Sequence, residues 1–132
     1  MTLTDQEVSN WIEYLSREAQ EAYDTALDLF KSKHYNYSLF FSHLALEKKL
    51  KACFLFQKKI FAPPVHDLIY LVKKLKSLTD KKVLTQLAEI NTFNIRARYE
   101  DYKRDFYKRA TSEYTRKWLN ITKKLLISFE KI

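Results

Sequence analysis

Four cations in this sequence stand where they could meet a phosphate: Lys48 and Lys51 in the stretch His43 to Ala52, and Arg96 and Arg98 far along the chain. Arginine forks grip phosphate oxygens in pairs, and lysine supplies a point charge. Tyr99 and Tyr102 follow the arginines directly, and an aromatic ring there could stack on a base. The chemistry these types suggest is anion or nucleotide binding, provided the fold brings the two stretches together. A polar trio accompanies them: His43, Glu47 and Asp101. His43 and Glu47 are one helical turn apart and could share a metal ion or form a hydrogen-bonded pair, but the sequence places no third ligand. The same cations have another use. Glu47, Glu100 and Asp101 are acids with which they could form an ion-pair network, anchoring one helix to another or to a second subunit.

The elements that must carry these residues are helices. Thr4 and Glu7 make a capping box, with Leu3 and Val8 at the staple positions, so a first helix should start near Asp5. Trp11, Leu15, Ala19, Ala22, Ala26 and Leu29 follow in steps of three or four and predict its core face, with an end between Phe30 and Lys33. The link Lys33 to Asn36 is short enough to make the next helix an antiparallel neighbour. That second helix should run from about Asn36 to Lys59, with Leu46, Leu50 and Cys53 on a buried stripe and Ala45 beside it. Leu39, Phe40 and Phe41 are apolar on more than one face, so part of this run is expected to pack against another subunit.

Pro63 and Pro64 break the pattern. A short helix should open at His66 and Asp67, with Leu68, Leu71, Val72 and Leu75 inward; His66 reads here as a cap and turn residue. Thr79 and Asp80 signal the start of a fourth helix, fading near Arg98. Its stripe is less clean: Leu84, Leu87, then Ile90 or Asn91, then Phe93 to Ile95. Residues 99–110 are dense in charge and tyrosine and read either as an ordered loop or as a frayed extension. A last helix should run from about Thr111 to Phe129 on Tyr114, Trp118, Ile121, Leu125 and Phe129.

Composition narrows the class. The 132 residues fit one domain spanning the chain, and contain no glycine. Hairpins usually need glycine turns, so long helices with short links are expected. No apolar run is long enough to span a bilayer and the N-terminus is polar, so a soluble cytoplasmic protein without membrane contact is expected. The lone Cys53 excludes an internal disulfide and a thiolate metal cluster, and its place on an apolar face marks an inert buried thiol. Charge is uneven. Residues 1–30 hold seven acids against Arg17, a balance of −6, so the other 102 residues carry +14 of a net +8. A basic body suits an anionic partner, or else is a lysine-rich solvated surface.

Three local patterns together resemble the HEPN family of small all-helical domains. They are His43…Glu47-Lys48…Leu50-Lys51-Ala52, then Pro64…His66-Asp67-Leu68…Leu71, then Ala97-Arg98-Tyr99-Glu100-Asp101. The resemblance covers nearly the whole chain. It implies an all-α, antiparallel, up-and-down bundle of four to five helices, usually a homodimer, with the second helix and the arginine region near a shared cleft. Many members act as partners of a minimal nucleotidyltransferase, often in toxin–antitoxin pairs. Others are metal-independent ribonucleases, and others are proposed to bind nucleotides or act on RNA. The ribonuclease branch carries an arginine followed, after four to six residues, by a histidine. Here four residues after Arg96 bring Asp101, and the next is Tyr102; His34, His43 and His66 all precede Arg96. Leu44 also stands where the family commonly has a polar residue. The expectation is therefore a non-catalytic module without metal or cofactor. It binds nucleotide or a nucleotidyltransferase through Lys48, Lys51, Arg96, Arg98, Tyr99 and Tyr102, with His43, Glu47 and Asp101 as the supporting network. The alternatives are a ribonuclease lacking the usual motif and a purely structural dimerisation module.

Overall fold

Thr4 opens the first helix in the computed structural model as its capping pattern predicts: its hydroxyl accepts from Glu7 N–H, and the Glu7 carboxylate accepts from Thr4 N–H. The structure describes residues 2–76, 80–97 and 100–132, with the backbone alone for residues 100 and 101. Among the described residues there are six helices: α1 (Asp5–Lys31), α2 (Tyr35–Lys58), α3 (Leu68–Lys73), α4 (Lys81–Arg96), α5 (Glu100–Arg109) and α6 (Ser112–Phe129). The bundle is all-α, as expected, and none of these helices is long and apolar enough to cross a membrane.

The α1–α2 pair makes the most extensive contact. Ala19, Ala22 and Ala26 of α1 and Ala45 of α2 are buried, and such small side chains let two helices approach closely. The Ser38 hydroxyl then donates to the Ala26 carbonyl at 2.7 Å, and the Tyr23 hydroxyl ties α1 to α6 through the Leu119 carbonyl at 3.1 Å. Helix α2 touches each of the other five helices. It is therefore the central strut, which explains why its apolar residues wrap more than one face: Leu39, Leu46, Leu50 and Leu55 are all fully buried. Phe40 and Phe41 are half-buried, meet edge to face at 5.6 Å, and pack on the two internal clusters. The internal core thus takes up Leu39 and part of each phenylalanine.

Phe93 anchors the other half of the core. It is fully buried, lies edge-on to Trp118 at 6.0 Å and sits 5.8 Å from Phe106 of α5. An aromatic this enclosed is worth roughly 3–5 kcal/mol against truncation to alanine.

Two expectations need correction. Trp11 does not face the core; it is 42% exposed and stands edge-on to Tyr14 and to Phe61 of the α2–α3 connection. The neighbouring core position is filled instead by Val8, which is buried beside the helix start. The charged segment after Arg98 is neither loop nor frayed extension. Its regular α5 is held by Phe106 and ends at the buried Ala110, whose N–H returns to the Phe106 carbonyl at 2.8 Å. Phe106 was the apolar signal for this helix, one aromatic at the right place in an otherwise charged stretch.

A chain without glycine must still turn its corners. Lys33 (φ 66°) and Lys59 (φ 61°) take the left-handed positions after α1 and α2 that glycine usually fills. After α1 the closure is complete: His34 N–H returns to the Leu29 carbonyl at 2.8 Å, and Lys33 N–H to the Phe30 carbonyl at 3.1 Å.

Candidate functional site

The polar residues of α2 form a clasp on the start of α3. The His43 ring Nε2 lies 2.9 Å from the His66 carbonyl. A carbonyl can only accept, so Nε2 carries the proton. The His66 ring Nδ1 lies 2.9 Å from Glu47 Oε1, so this nitrogen also carries a proton and donates. Helix α2 therefore grips His66 twice, by its carbonyl and by its ring, from residues one turn apart. Glu47 is buried, and its second oxygen accepts from Lys51 Nζ at 3.1 Å. His43 and Glu47 themselves stand 3.9 Å apart, so His66 joins them rather than a direct hydrogen bond. Burial pushes the His43 imidazole below its ordinary range, against a smaller upward pull from Glu47 and the His66 carbonyl. It is neutral at neutral pH.

Helix α4 completes the clasp. The Asn91 side chain accepts from Leu68 N–H at 2.9 Å and donates to Asp67 Oδ1 at 2.9 Å. Asp67, not His66, caps α3, accepting from Ile69 N–H and Tyr70 N–H. The reading of His66 as a cap residue is thus corrected, because its ring turns back to Glu47. Asn91 was the residue sequence reasoning passed over. A polar amide at an inward position of the α4 stripe, beside Ile90, was the signal. Among the described residues no group of three or more His, Cys, Asp or Glu side chains is arranged to hold a metal ion.

The arginine region faces a different cleft. Arg96 at the end of α4 lines it with Tyr102, Asp105, Phe106 and Arg109 of α5, around a volume of about 250 Å³. These α5 positions fall at steps of three and four, so one face of that helix is presented to the cleft. Arg109 is held at its edge, donating to Glu89 at 3.0 Å and lying 5.7 Å from the Tyr114 ring centre. The Tyr114 hydroxyl donates to the same Glu89 oxygen at 2.7 Å. Burial first, and then Glu89, raises the Tyr114 phenol far above its usual range, with Arg109 and Arg96 opposing the rise. No ion pair or hydrogen bond joins Arg96 to another described residue.

A family model for the HEPN domain matches residues 12–132. The chain belongs to the HEPN domain family. No curated protein and no solved structure gives a significant match. In this HEPN chain the expected site residues divide. Arg96 and Tyr102 meet in the α4–α5 cleft, and Lys51, Glu47 and His43 belong to the clasp. Lys48 is half-buried on α2. Arg98, Tyr99 and the Asp101 side chain lie outside the described residues. Arg109 was missed, although its spacing from Tyr102 and Asp105 puts it on the same helical face. Two of the histidines, His43 and His66, are engaged in the clasp, and His34 is exposed at the start of α2.

Proposed function

We propose that this HEPN chain is a non-catalytic module that binds a nucleotide through the α4–α5 cleft. It would act as a homodimer and as partner to a minimal nucleotidyltransferase, in the manner of a toxin–antitoxin pair. The observation that carries the reading is Arg96: a half-buried guanidinium without an ion-pair partner among the described residues, in a cleft shared with the exposed ring of Tyr102 and a second guanidinium, Arg109. Arg109 is already paired with Glu89, so Arg96 is the cation left to meet an anion there, and the tyrosine offers a face for a base. Among the described residues lining this cleft there is no histidine, which supports binding over the acid–base chemistry of the ribonuclease branch. Lys48, Lys51, Arg98 and Tyr99 remain proposed contacts, to be tested by substitution in the same titration.

Calorimetric titration with ATP and with GTP at physiological salt tests this. Saturable binding of one nucleotide, lost in Arg96→Ala and weakened in Tyr102→Ala, is the expected result. No binding, or binding unchanged in Arg96→Ala, removes the proposal. A structural reading has one observation behind it, the Arg109–Glu89 ion pair. It requires that reversing Arg96 and Arg109 lower stability or assembly while nucleotide binding is absent in the parent protein.

A further inference from the structure

Helix α5 separates two clefts, and the second is the more basic. Its other face presents Lys103, Arg104, Tyr107 and Lys108 toward the α1–α2 corner, where Lys33 and Tyr37 close the opposite wall. This groove has a volume of about 700 Å³. It runs into a neighbouring one of about 440 Å³ that shares Lys33, Tyr107 and Lys108 and ends at Thr111. Among the described residues lining the two there is no carboxylate. Neither Arg104 nor Lys108 has an ion-pair partner among the described residues. The tyrosines are presented rather than packed: Tyr107 is 70% exposed and Tyr37 39%. Lys103 Nζ lies 5.7 Å from the Tyr37 ring centre, so charge and ring stand side by side.

We infer that this groove binds single-stranded nucleic acid along its phosphate backbone, with unpaired bases stacking on Tyr107 and Tyr37. The charge pattern asks for several anions in a row. Arg104 stands about 6 Å, roughly one helical turn, and Lys103 about 7.5 Å from Lys108 along α5, with Lys33 facing them across the groove. An extended strand presents successive phosphates on that scale. Exposed rings set between the cations add what an inorganic anion or an acidic peptide would leave unused, a flat surface for a base. A duplex keeps its bases stacked on one another and could use only the cations. Lys33 adds to the case. It holds a left-handed backbone conformation that favours glycine, at the point where its side chain lines both parts of the groove. The site is separate from the Arg96 cleft and does not depend on it.

Fluorescence anisotropy with a labelled oligouridylate of about ten nucleotides, alongside a duplex of equal length, tests the groove. The intact chain should bind the single strand more tightly than the duplex, with an affinity that falls as salt rises. Arg104→Glu with Lys108→Glu should weaken it by at least about tenfold. Lys123→Glu with Lys124→Glu, on the exposed face of α6, makes the same change in net charge and should alter binding by no more than about threefold. Tyr107→Ala should weaken binding at constant charge, and Tyr107→Phe should restore it. Circular dichroism of each variant checks that the helices persist; all five positions are exposed. Equal losses in the two double variants, no effect of Tyr107→Ala, or no binding by the intact chain overturns the inference. Loss of oligonucleotide binding in Arg96→Ala also overturns it, by moving the strand to the other side of α5.

Discussion

Glu47 and His66 meet at 2.9 Å across nineteen residues of sequence that include both prolines. The buried carboxylate holds the imidazole with one oxygen and the Lys51 ammonium with the other. This pair fixes where the chain re-enters the bundle after α2. Removing the carboxylate leaves both partners without an anion, although each retains access to water. Glu47→Ala should therefore cost about 1–3 kcal/mol of unfolding free energy. Glu47→Gln keeps an acceptor of the same shape and should cost less. Urea denaturation of the two variants checks the order; equal losses would show that the negative charge, which both variants remove, and not the acceptor or its packing, holds His66.

His43 gives the clasp a pH dependence. Its imidazole is buried and its folded-state pKa lies below the ordinary 6.5. Between the folded and unfolded values the unfolded chain binds more protons, so stability rises with pH in that window. The contribution of His43 is therefore present above about pH 6.5 and is lost as pH falls through the folded pKa. The slope attributable to it is at most about 1.4 kcal/mol per pH unit. Measurements of stability from pH 7.5 down to 5 should show this slope in the parent chain. His43→Gln, which cannot gain the proton, should flatten it, and an unchanged slope in that variant would assign the dependence elsewhere.

Asn91 links α4 to α3 through the Leu68 N–H and the Asp67 carboxylate. Asn91→Ala leaves the buried helix start without its acceptor, at a cost of about 1–3 kcal/mol. The loss should be local. Hydrogen exchange should accelerate in the amides of α3 while those of the α1–α2 pair keep their protection. Asn91→Asp should be worse than alanine at neutral pH, because it sets a second carboxylate against Asp67. Uniform acceleration across all helices would show instead that α3 is part of the global unfolding unit.

How much of this was legible beforehand follows from the kind of information each residue carries. The long helices were written in periodicity and caps: Thr4 with Glu7, Asp67, Asp80 and Thr111 each cap a helix start. Local rules of that kind act within one turn. The clasp was half visible, because His43, Glu47 and Lys51 share one helix face. Its other half comes from His66 and Asn91, placed by tertiary packing that no local spacing encodes. The division of α5 into two faces could be read from its i, i+3, i+4 pattern once the segment was known to be helical. Its charge density hid that, since among its described side chains only Phe106 is buried, with Ala110 just past its end. Trp11 misled because a large aromatic at a core-like position is usually taken inward, whereas this one stands in an exposed edge-on pair with Phe61.

The two left-handed lysines give a prediction that separates stability from binding. A residue with a Cβ pays about 1–2 kcal/mol for that conformation, and glycine does not. Glycine also loses more freedom on folding, so the net gain from substitution is smaller, about 1 kcal/mol. Lys59→Gly should raise the unfolding free energy by about that amount and leave oligonucleotide affinity nearly unchanged, since Lys59 does not line the α5 groove. Lys33→Gly should give a similar gain, because Lys33 sits at the fully closed corner after α1. It should also lose affinity for single-stranded nucleic acid, because it removes a cation from both parts of the groove. Thermal melts and anisotropy on the same two samples make the comparison. A stabilised Lys33→Gly that binds as well as the parent would mean that the lysine at this corner is not kept for the groove. A destabilised one would mean that its side chain contributes packing that the backbone argument leaves out.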